Sequence, residues 1–489
     1  MSVVNDHLTD DLRPERRVFA NRTLNMRSVQ AVGYDMDYTL IHYRVEEWEK
    51  AAFRWARDLL AARGWPVQDL KFDPDRFTLG LAFDLQLGNV VKATRFGYVQ
   101  RAQHGNRLLP FDEQRAEYRE TVVELSEPRF EFMNTLFELS RANLFTQLVD
   151  IHDQEPLPGV NSYADLYWQV NDALSETHLT GALKVEIVAD PDRFVVPDPE
   201  IAPTLLDQRT AGKQLLLITN SDWSYTRQIM AYAFDRYCPE GTTWRDLFDI
   251  VIVSANKPRF FSHTDPIYHV VDEDRSLLQP HLGPLQAGQV YFGGNARLVE
   301  DSLGLGTGPP LYVGDHLFGD VLVTKDVLRW RTALIARELE TEISDALDFA
   351  DGQLRLQALM GEKSVAEHRL AVLRLHRLQG QHEQRQDPAA VPTRRELSEL
   401  NEHLLELDAR IVPLAQAAAE LGNSTWGPLM RAGNDKSLFA RQVERYADVY
   451  TSRVSNLRHE TPFAYLRAAR GSLPHDGPAA EVDSDASGS

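Results

Sequence analysis

The sequence predicts an α/β protein built on a doubly wound parallel sheet, with a large inserted domain and an added helical region. Short apolar runs without a polar face are typical of buried parallel strands, and they occur at Val29–Tyr34, Gln214–Ile218, Asp249–Val253 and, more faintly, Leu311–Val313 and Thr332–Ile335. Helical patterns such as Tyr225–Phe234 lie between these runs, which is the alternation expected of a doubly wound sheet. The first two runs are about 180 residues apart, far more than one crossover connection needs.

That separation predicts a cap domain over residues 43–185, which opens with a helical pattern at Val45–Arg63. The core then comprises residues 1–42 and 186–336. Residues 337–425 form a region of long helices, because Glu338–Gly422 reads as two amphipathic helices broken at Gln386–Pro392. We expect residues 426–470 to pack back on the core. Residues 471–489 are rich in Gly, Pro, Asp and Ser, which predicts a disordered tail.

The composition narrows the classes of function. With 52 basic and 72 acidic residues the formal charge is −20, which argues against general binding to nucleic acid. Cys238 is the one cysteine, so neither an intramolecular disulfide nor a multi-cysteine zinc site is possible. The chain has no run of eighteen apolar residues and no secretory signal, so we expect a cytoplasmic protein with no membrane span.

The first predicted strand ends in an Asp-x-Asp sequence, Asp35-Met36-Asp37. Functional groups in such sheets lie at the carboxyl ends of the strands, and two aspartates one residue apart point the same way in an extended chain. One carboxylate can attack phosphorus while the other handles the proton of the leaving group. Taken alone the signal is weak, since the same residues are common in turns and helix caps.

The other strands end in groups that complement these aspartates. Thr219-Asn220-Ser221-Asp222 precedes a helix and could hold an anion, although Ser221 or Asp222 could also simply cap that helix. Lys257 could neutralise a phosphate, and Asp315 and Asp320 follow the fourth strand, where carboxylates can bind Mg²⁺. In order along the chain, these elements supply the nucleophile, the phosphate contacts, the cation and the metal ligands for phosphoryl transfer to a carboxylate.

This set resembles the haloacid-dehalogenase superfamily of phosphatases, and the match extends to the cytosolic purine 5′-nucleotidase family within it, most closely to a bacterial-type member. The resemblance runs from about Arg17 to Pro474. The segments that carry it, besides the strand ends, are Leu87-Gly88-Asn89-Val90-Val91-Lys92, Asn134-Thr135-Leu136-Phe137, Gly283-Pro284-Leu285-Gln286, Gln442-Val443-Glu444-Arg445-Tyr446-Ala447-Asp448 and Pro462-Phe463-Ala464-Tyr465-Leu466-Arg467-Ala468-Ala469. It implies a haloacid-dehalogenase-like core and a homo-oligomer, either a dimer or a tetramer.

The resemblance also implies a role for each residue. Asp35 is the nucleophile that forms an aspartyl-phosphate, Asp37 is the general acid and base, and Lys257 neutralises charge. Mg²⁺ is held by Asp35, the backbone carbonyl of Asp37 and Asp315, with Asp320 acting through water. The implied phosphate contacts are Thr219, Asn220, Ser221 and Lys184, and the implied nucleoside contacts are Phe137, His178, Asn171, Ser175 and Glu138.

Three of the nucleoside positions depart from the purine-selective animal members of that family. Asn171 stands in place of an Arg, Ser175 in place of an Asp and Glu138 in place of an Asn. The expected function is therefore Mg²⁺-dependent hydrolysis of nucleoside 5′-monophosphates with an open base preference. Two alternatives are another small-molecule phosphatase or a nucleoside phosphotransferase with the same intermediate. A third, a catalytically silent binding or scaffold protein, is disfavoured because the catalytic set is complete.

Overall fold

A ten-stranded mixed sheet lies at the centre of the molecule. The structure is a computed structural model that describes residues 13–179, 181–304, 308–382 and 393–469, apart from the side chains of residues 136, 177–179 and 380–382. All five predicted strands are confirmed. In spatial order the strands of this sheet are Phe19–Ala20, Val449–Thr451, Arg331–Ile335, Leu311–Gly314, Ala31–Tyr34, Gln214–Ile218, Ile250–Val253, Gln289–Gly293, Ile267–Asp272 and Leu277–Pro280.

The middle of this sheet is parallel, as predicted. Every pairing from Val449–Thr451 across to Gln289–Gly293 is parallel, and the pairings outside these strands are antiparallel. Ala31–Tyr34 is wholly buried in the middle, between Leu311–Gly314 and Gln214–Ile218. The carboxyl ends of these neighbours therefore meet at one edge of the sheet, which we call the catalytic edge.

The sequence did not predict the outer strands. Leu277–Pro280 is exposed along its whole length and ends in proline, so it lacks the apolar signal of a buried strand. Phe19–Ala20 and Val449–Thr451 are too short to give a periodic pattern, yet they pair with each other in register at one end of the sheet. These edges depend on pairing partners far away in the sequence, and local patterns do not contain that information.

A second sheet, of five antiparallel strands, is formed by residues that come between Ala31–Tyr34 and Gln214–Ile218 in the sequence; we call this part of the chain the inserted region. Its strands, in spatial order, are Arg107–Leu108, Val99–His104, Asn89–Ala93, Ala82–Asp84 and Phe130–Phe132. Its helices are Val45–Ala62, Phe111–Tyr118, Leu139–Gln154 and Tyr163–Leu179. Lys92, which is buried in this sheet, donates hydrogen bonds to the carbonyls of Trp426 and Pro428 and so ties the inserted region to the C-terminal segment.

The helical region differs from its prediction, because it contains three helices where two were expected. They are Leu339–Asp348, Ala350–His382 and Arg394–Ala419. The first is separate because it is fixed to the rest of the protein, where the Glu342 carboxylate accepts a hydrogen bond from the Met430 N–H, at 3.1 Å to Oε1. The other two pair with each other through Leu359, Ala366, Leu407 and Ile411, and we call this pair the helical hairpin. The expected break at Gln386–Pro392 lies outside the described residues, as does the expected tail at 471–489.

The remaining elements connect these layers. The other α-helices are Ala182–Ala189, Pro191–Phe194, Ile201–Thr210, Trp223–Phe234, Arg259–Ser262, Ala296–Leu303, Leu438–Tyr446 and Leu457–Glu460, with π-helical turns at Leu317–Leu322 and Thr324–Leu328. Three small strand pairs join His42–Tyr43 to Val195–Val196, Leu24–Asn25 to Tyr465–Leu466 and Arg431–Ala432 to Asp435–Lys436. Among the described residues, no helix has the length and apolar character that crossing a membrane requires.

Candidate active site

The predicted catalytic groups follow four adjacent parallel strands at the catalytic edge. Asp35 comes directly after Ala31–Tyr34, and its backbone N–H donates to the carbonyl of Val313 on the neighbouring strand, at 2.9 Å. Thr219 and Asp315 come directly after their strands, and Lys257 follows the loop after Ile250–Val253. The structure therefore brings together residues that are more than 200 positions apart in the sequence.

A buried lysine joins two of the aspartates. The Lys257 Nζ lies 2.7 Å from Asp35 Oδ1 and 2.9 Å from Asp320 Oδ1. Burial lowers the pKa of Lys257, but the carboxylates of Asp320 and Asp35 more than compensate and hold it well above its usual value. Burial has the opposite effect on a carboxyl group: it raises the pKa of Asp35 to about 6, although the nearby Lys257 lowers it. The ammonium is thus fixed in its charged form beside the predicted nucleophile.

Asn220 holds Lys257 in place through its side chain. The Asn220 Oδ1 accepts from the backbone N–H of Lys257 at 2.6 Å, and its Nδ2 donates to the carbonyl of Lys257 at 3.1 Å. Because both ends of the amide are engaged, the geometry leaves Asn220 its backbone N–H, rather than its side chain, as the group available to a phosphate. The Tyr312 hydroxyl adds a third constraint, since it accepts from Lys257 Nζ at 3.1 Å and donates to the carbonyl of Ile218 at 3.0 Å.

Asp37 has surroundings of a different kind. Its Oδ1 accepts from the Tyr43 hydroxyl at 2.5 Å, and its Oδ2 accepts from the Ser221 hydroxyl at 2.7 Å. Lys184 Nζ lies 3.2 Å from the same Ser221 Oγ. Burial raises the pKa of Asp37 although Lys184 opposes that shift. A carboxyl that can carry a proton, surrounded by hydroxyls, is suited to acid and base chemistry.

The residues that follow Gln214–Ile218 have different roles, since one caps a helix and the others make contacts within the site. Asp222 caps the next helix, because its Oδ1 accepts from the N–H of Tyr225 at 3.0 Å, and of the two alternatives raised for this loop the capping one is correct for Asp222. Ser221 instead contacts Asp37 and Lys184. Thr219 is buried, and its Oγ1 accepts from the N–H of Ser221 at 3.1 Å.

Asp35, Asp315 and Asp320 form a cluster that fits a divalent cation. One ligand oxygen from each can be chosen so that all lie within 4.8 Å of one another. Burial, together with repulsion from Asp35 and Asp320, raises the pKa of Asp315 well above its usual range. Three carboxylates face one ammonium here, so a divalent cation would balance the remaining charge. The donors are all carboxylate oxygens, which are the ligands that Mg²⁺ prefers.

The loop after Leu311–Gly314 is shaped by two close contacts. A Cβ on Gly314 would overlap the side chain of Asp320, so only glycine fits beside this carboxylate. The Asp320 Oδ2 accepts from the N–H of His316 at 3.2 Å, and His316 Nδ1 accepts from the N–H of Gly319 at 2.8 Å. Burial lowers the pKa of His316 to about 4, so its ring is neutral and serves as a cap for this turn.

The residues expected around the nucleoside lie in the inserted region. The ring of Phe137 lies edge-on to the ring of Tyr38, with centroids 4.6 Å apart, and Tyr38 follows Asp37 in the sequence. Asn171 and Ser175 lie one helical turn apart on Tyr163–Leu179, where Asn171 is half-buried and Ser175 is exposed. The side chain of His178 lies outside the described residues.

Glu138 has a protein partner for each of its oxygens. The backbone N–H of Asn134 donates to Oε2 at 2.6 Å, and Arg141 Nη1 donates to Oε1 at 2.8 Å. Arg141 also donates to the Tyr167 hydroxyl at 3.1 Å. These contacts anchor the segment that carries Phe137, and the direct contact of Glu138 with the base stays a prediction.

Sequence reasoning missed several residues of the site. Tyr43 contacts Asp37 and lies 2.8 Å from the Tyr225 hydroxyl, Tyr312 contacts Lys257, and Thr135 contacts Asp315. The three tyrosines lie in or beside apolar segments, where a buried aromatic side chain is most simply read as core. Their hydroxyl contacts join different strands, so no local pattern identifies them.

Comparisons with known proteins identify relatives of this chain. A family model described as the 5′ nucleotidase family matches residues 18–478. The human 5′-nucleotidase domain-containing protein 2 is 29% identical over 502 residues, covering 97% of this chain and 89% of its own. Among solved structures, β-phosphoglucomutase from Pyrococcus sp. strain ST 04 matches with 12% identity and a TM-score of 0.29, over 63% of this chain and 86% of its own. CbbY from Rhodobacter sphaeroides with phosphate matches with 16% identity and a TM-score of 0.22, over the same shares of 63% and 86%.

Proposed function

The chain belongs to the 5′ nucleotidase family, as a 5′-nucleotidase hydrolase, and on that premise we propose that it hydrolyses nucleoside 5′-monophosphates through an Mg²⁺-dependent aspartyl-phosphate mechanism. The observation that carries the proposal is the division of labour at the catalytic edge. Lys257 bridges Asp35 and Asp320 beside Asp315, while hydroxyls hold Asp37 apart from that charge cluster. One carboxylate is therefore prepared to attack and the other to exchange a proton.

In the first step, a carboxylate oxygen of Asp35 attacks phosphorus and the bond from phosphorus to the nucleoside 5′-oxygen breaks. Asp37 gives its proton to that leaving oxygen, so a neutral nucleoside departs and an aspartyl-phosphate remains. In the second step Asp37 takes a proton from water as the water oxygen attacks phosphorus. Inorganic phosphate leaves and both carboxylates return to their starting forms.

Asp35, Asp315 and the backbone carbonyl of Asp37, with Asp320 acting through water, would hold Mg²⁺, which would supply charge neutralisation at the phosphate. Lys257 adds a fixed positive charge beside Asp35. Lys184, Ser221, the N–H of Asn220 and the hydroxyl of Thr219 would hold the remaining phosphate oxygens, since the N–H of Thr219 already donates to the Ile252 carbonyl at 2.9 Å. They precede a twelve-residue helix, Trp223–Phe234, whose N-terminus favours negative charge.

We propose that the core over residues 1–42 and 186–336 has the haloacid-dehalogenase-like fold, with residues 43–185 as its cap domain. Phe137 and the helix that carries Asn171, Ser175 and His178 would then form the nucleoside side of the site. Glu138 would act there by holding the segment of Phe137. Aromatic stacking tolerates different bases, so this pocket favours a nucleotide without demanding one base.

The test is phosphate release from a panel of nucleoside monophosphates and sugar phosphates, with Mg²⁺ and after exhaustive chelation with EDTA. We expect nucleoside monophosphates to be the best substrates, and we expect EDTA to abolish release until Mg²⁺ is added back. Full activity after chelation would contradict the metal dependence, and faster release from sugar phosphates would contradict the substrate class. Product analysis with an added nucleoside acceptor separates hydrolysis from phosphoryl transfer.

We also propose a cytoplasmic location and a homo-oligomer, as a dimer or a tetramer. The support is the family resemblance, together with the length of the helical hairpin as a possible contact surface. Light scattering at micromolar concentration tests the assembly, and a monomer mass would contradict it.

A further inference from the structure

One carboxylate of the acidic cluster is held by the inserted region instead of by the core. The Thr135 Oγ1 donates to Asp315 Oδ2 at 3.1 Å, across a sequence separation of 180 residues. Thr135 is 6% exposed and lies between the strand Phe130–Phe132 and the helix Leu139–Gln154. This contact joins the inserted region to the loop after Leu311–Gly314, at the point where the metal would bind.

The other two carboxylates of the cluster are held differently. Asp35 Oδ1 accepts from Lys257 and, at 2.7 Å, from the N–H of Met36, while Asp320 accepts from Lys257 and from the N–H of His316. All of these donors belong to the core. In the described part of the chain, Asp315 receives its hydrogen bond from Thr135 and from none of these core donors.

Asp315 needs such a restraint because its neighbours repel it. Asp35 and Asp320 are close enough for all three carboxylates to share one cation, and without a donor their repulsion favours rotating Asp315 away. A hydroxyl that donates to Oδ2 fixes the plane of the carboxylate and leaves Oδ1 for the metal. Such outer hydrogen bonds orient metal ligands in many proteins.

The segment that presents Thr135 is itself firmly placed. Glu138 accepts from the Asn134 N–H on one side of Thr135, and Phe137 packs on Tyr38 on the other. Phe132, just before the segment, packs on Phe318 of the metal-ligand loop, with centroids 5.7 Å apart. We infer that Thr135 is a positioning residue for Asp315, so that the inserted region completes the Mg²⁺ site; the inference rests on the proposed function.

The test compares Thr135→Val, which removes the hydroxyl at nearly constant shape, with Thr135→Ser, which keeps it. Thr146→Val is the matched control, because Thr146 is a fully buried threonine of the same inserted region whose hydroxyl donates to the Ala142 carbonyl at 2.9 Å. The Mg²⁺ dissociation constant is measured by isothermal titration calorimetry on the full chain. Circular dichroism confirms that each variant is folded.

Thr135→Val should raise the Mg²⁺ dissociation constant by roughly 10- to 100-fold, the usual effect of removing an outer-shell partner. Thr135→Ser and Thr146→Val should bind Mg²⁺ like the unmodified protein. Turnover by Thr135→Val should recover when the Mg²⁺ concentration is raised, which a merely structural defect would not allow.

An unchanged dissociation constant in folded Thr135→Val would overturn the inference while leaving the proposed function intact. If the unmodified protein binds no Mg²⁺, the metal-dependent function itself fails, and the inference fails with it. If Thr146→Val weakens binding as much as Thr135→Val, the effect belongs to the packing of the inserted region and the inference is wrong.

Discussion

The catalytic edge buries charge, whereas the described side chains that the helical hairpin buries are apolar and its ion pairs lie at the surface. At the edge, Lys257 is 9% exposed and Asp320 is 1% exposed, and each is held by groups from other strands. In the hairpin, Leu407 and Ile411 form the buried seam, and the ion pair of Lys363 with Asp408 stays at the surface. Burying charges is costly even when they are paired, so a protein gains little stability from an edge of this kind. The comparison teaches that the edge is maintained for chemistry and the hairpin for structure.

Changing one atom of the nucleophile should give the largest effect. Asp35→Asn should reduce turnover by roughly 10³-fold or more, because an amide cannot form the acyl-phosphate. The variant should stay folded, since it removes one of three mutually repelling carboxylates. Steady-state phosphate release measures the loss, and Asp58→Asn, an exposed aspartate on the helix Val45–Ala62, is the control. Substantial turnover by purified Asp35→Asn would contradict the role of Asp35 as nucleophile and, with it, the chemical role of the catalytic edge.

A substitution in the buried seam of the helical hairpin should reduce stability and leave turnover nearly unchanged. Leu407→Ala should lower the free energy of unfolding of the hairpin by about 2–5 kcal/mol, the range for a buried leucine, and leave kcat nearly unchanged. Urea denaturation followed by circular dichroism measures the first and phosphate release the second. Leu405→Ala changes a leucine on the same helix that is 68% exposed, so its effect should be far smaller. A large loss of kcat in Leu407→Ala would show that the two regions are coupled.

Tyr43→Phe sharpens the comparison within the edge, because it removes a hydrogen bond from Asp37 without removing a charge. Asp37 becomes ionised as it gives its proton to the leaving oxygen, and a hydrogen bond to an ionised group contributes about 1.5–3 kcal/mol, so kcat should fall roughly 10- to 100-fold. Tyr225→Phe, which alters only the partner of Tyr43, should have a smaller effect. If kcat falls as much or more in Tyr225→Phe, the loss in Tyr43→Phe is an effect of packing and not of the missing hydrogen bond to Asp37.

The smallest effect is expected at the surface of the hairpin. Lys363→Gln removes the contact of Lys363 with Asp408 and should change neither the denaturation midpoint nor turnover measurably, because exposed ion pairs are screened by water and salt. Denaturation at low and high salt checks this. A clear loss of stability that disappears at high salt would show that the hairpin relies on its charges after all.

Most of the core, and the acidic and basic groups of the site, could be predicted because they follow from local sequence patterns. The central strands are buried on both faces, so Gln214–Ile218 is visible as a continuous apolar run, and groups such as Asp35 and Asp315 follow directly from where such runs end. The geometry between strands is not local. The amide of Asn220 clamps Lys257, and the hydroxyl of Thr135 reaches Asp315, through pairings that appear only after folding. The contact of Glu138 with the Asn134 N–H is another example, because no sequence pattern marks it.

Segments more than 400 residues apart in the sequence pair at one side of the main sheet, and this has a consequence for how the protein is made. Phe19–Ala20 pairs with Val449–Thr451, and Leu24–Asn25 pairs with Tyr465–Leu466. A ribosome builds the chain from its N-terminus, so the first strand emerges long before its partner exists. The strand Arg331–Ile335 likewise stays without its outer neighbour until Val449–Thr451 has been synthesised. The sheet therefore cannot be completed before Val449–Thr451 has been made, and until then an open strand edge is available to chaperones and to misassembly.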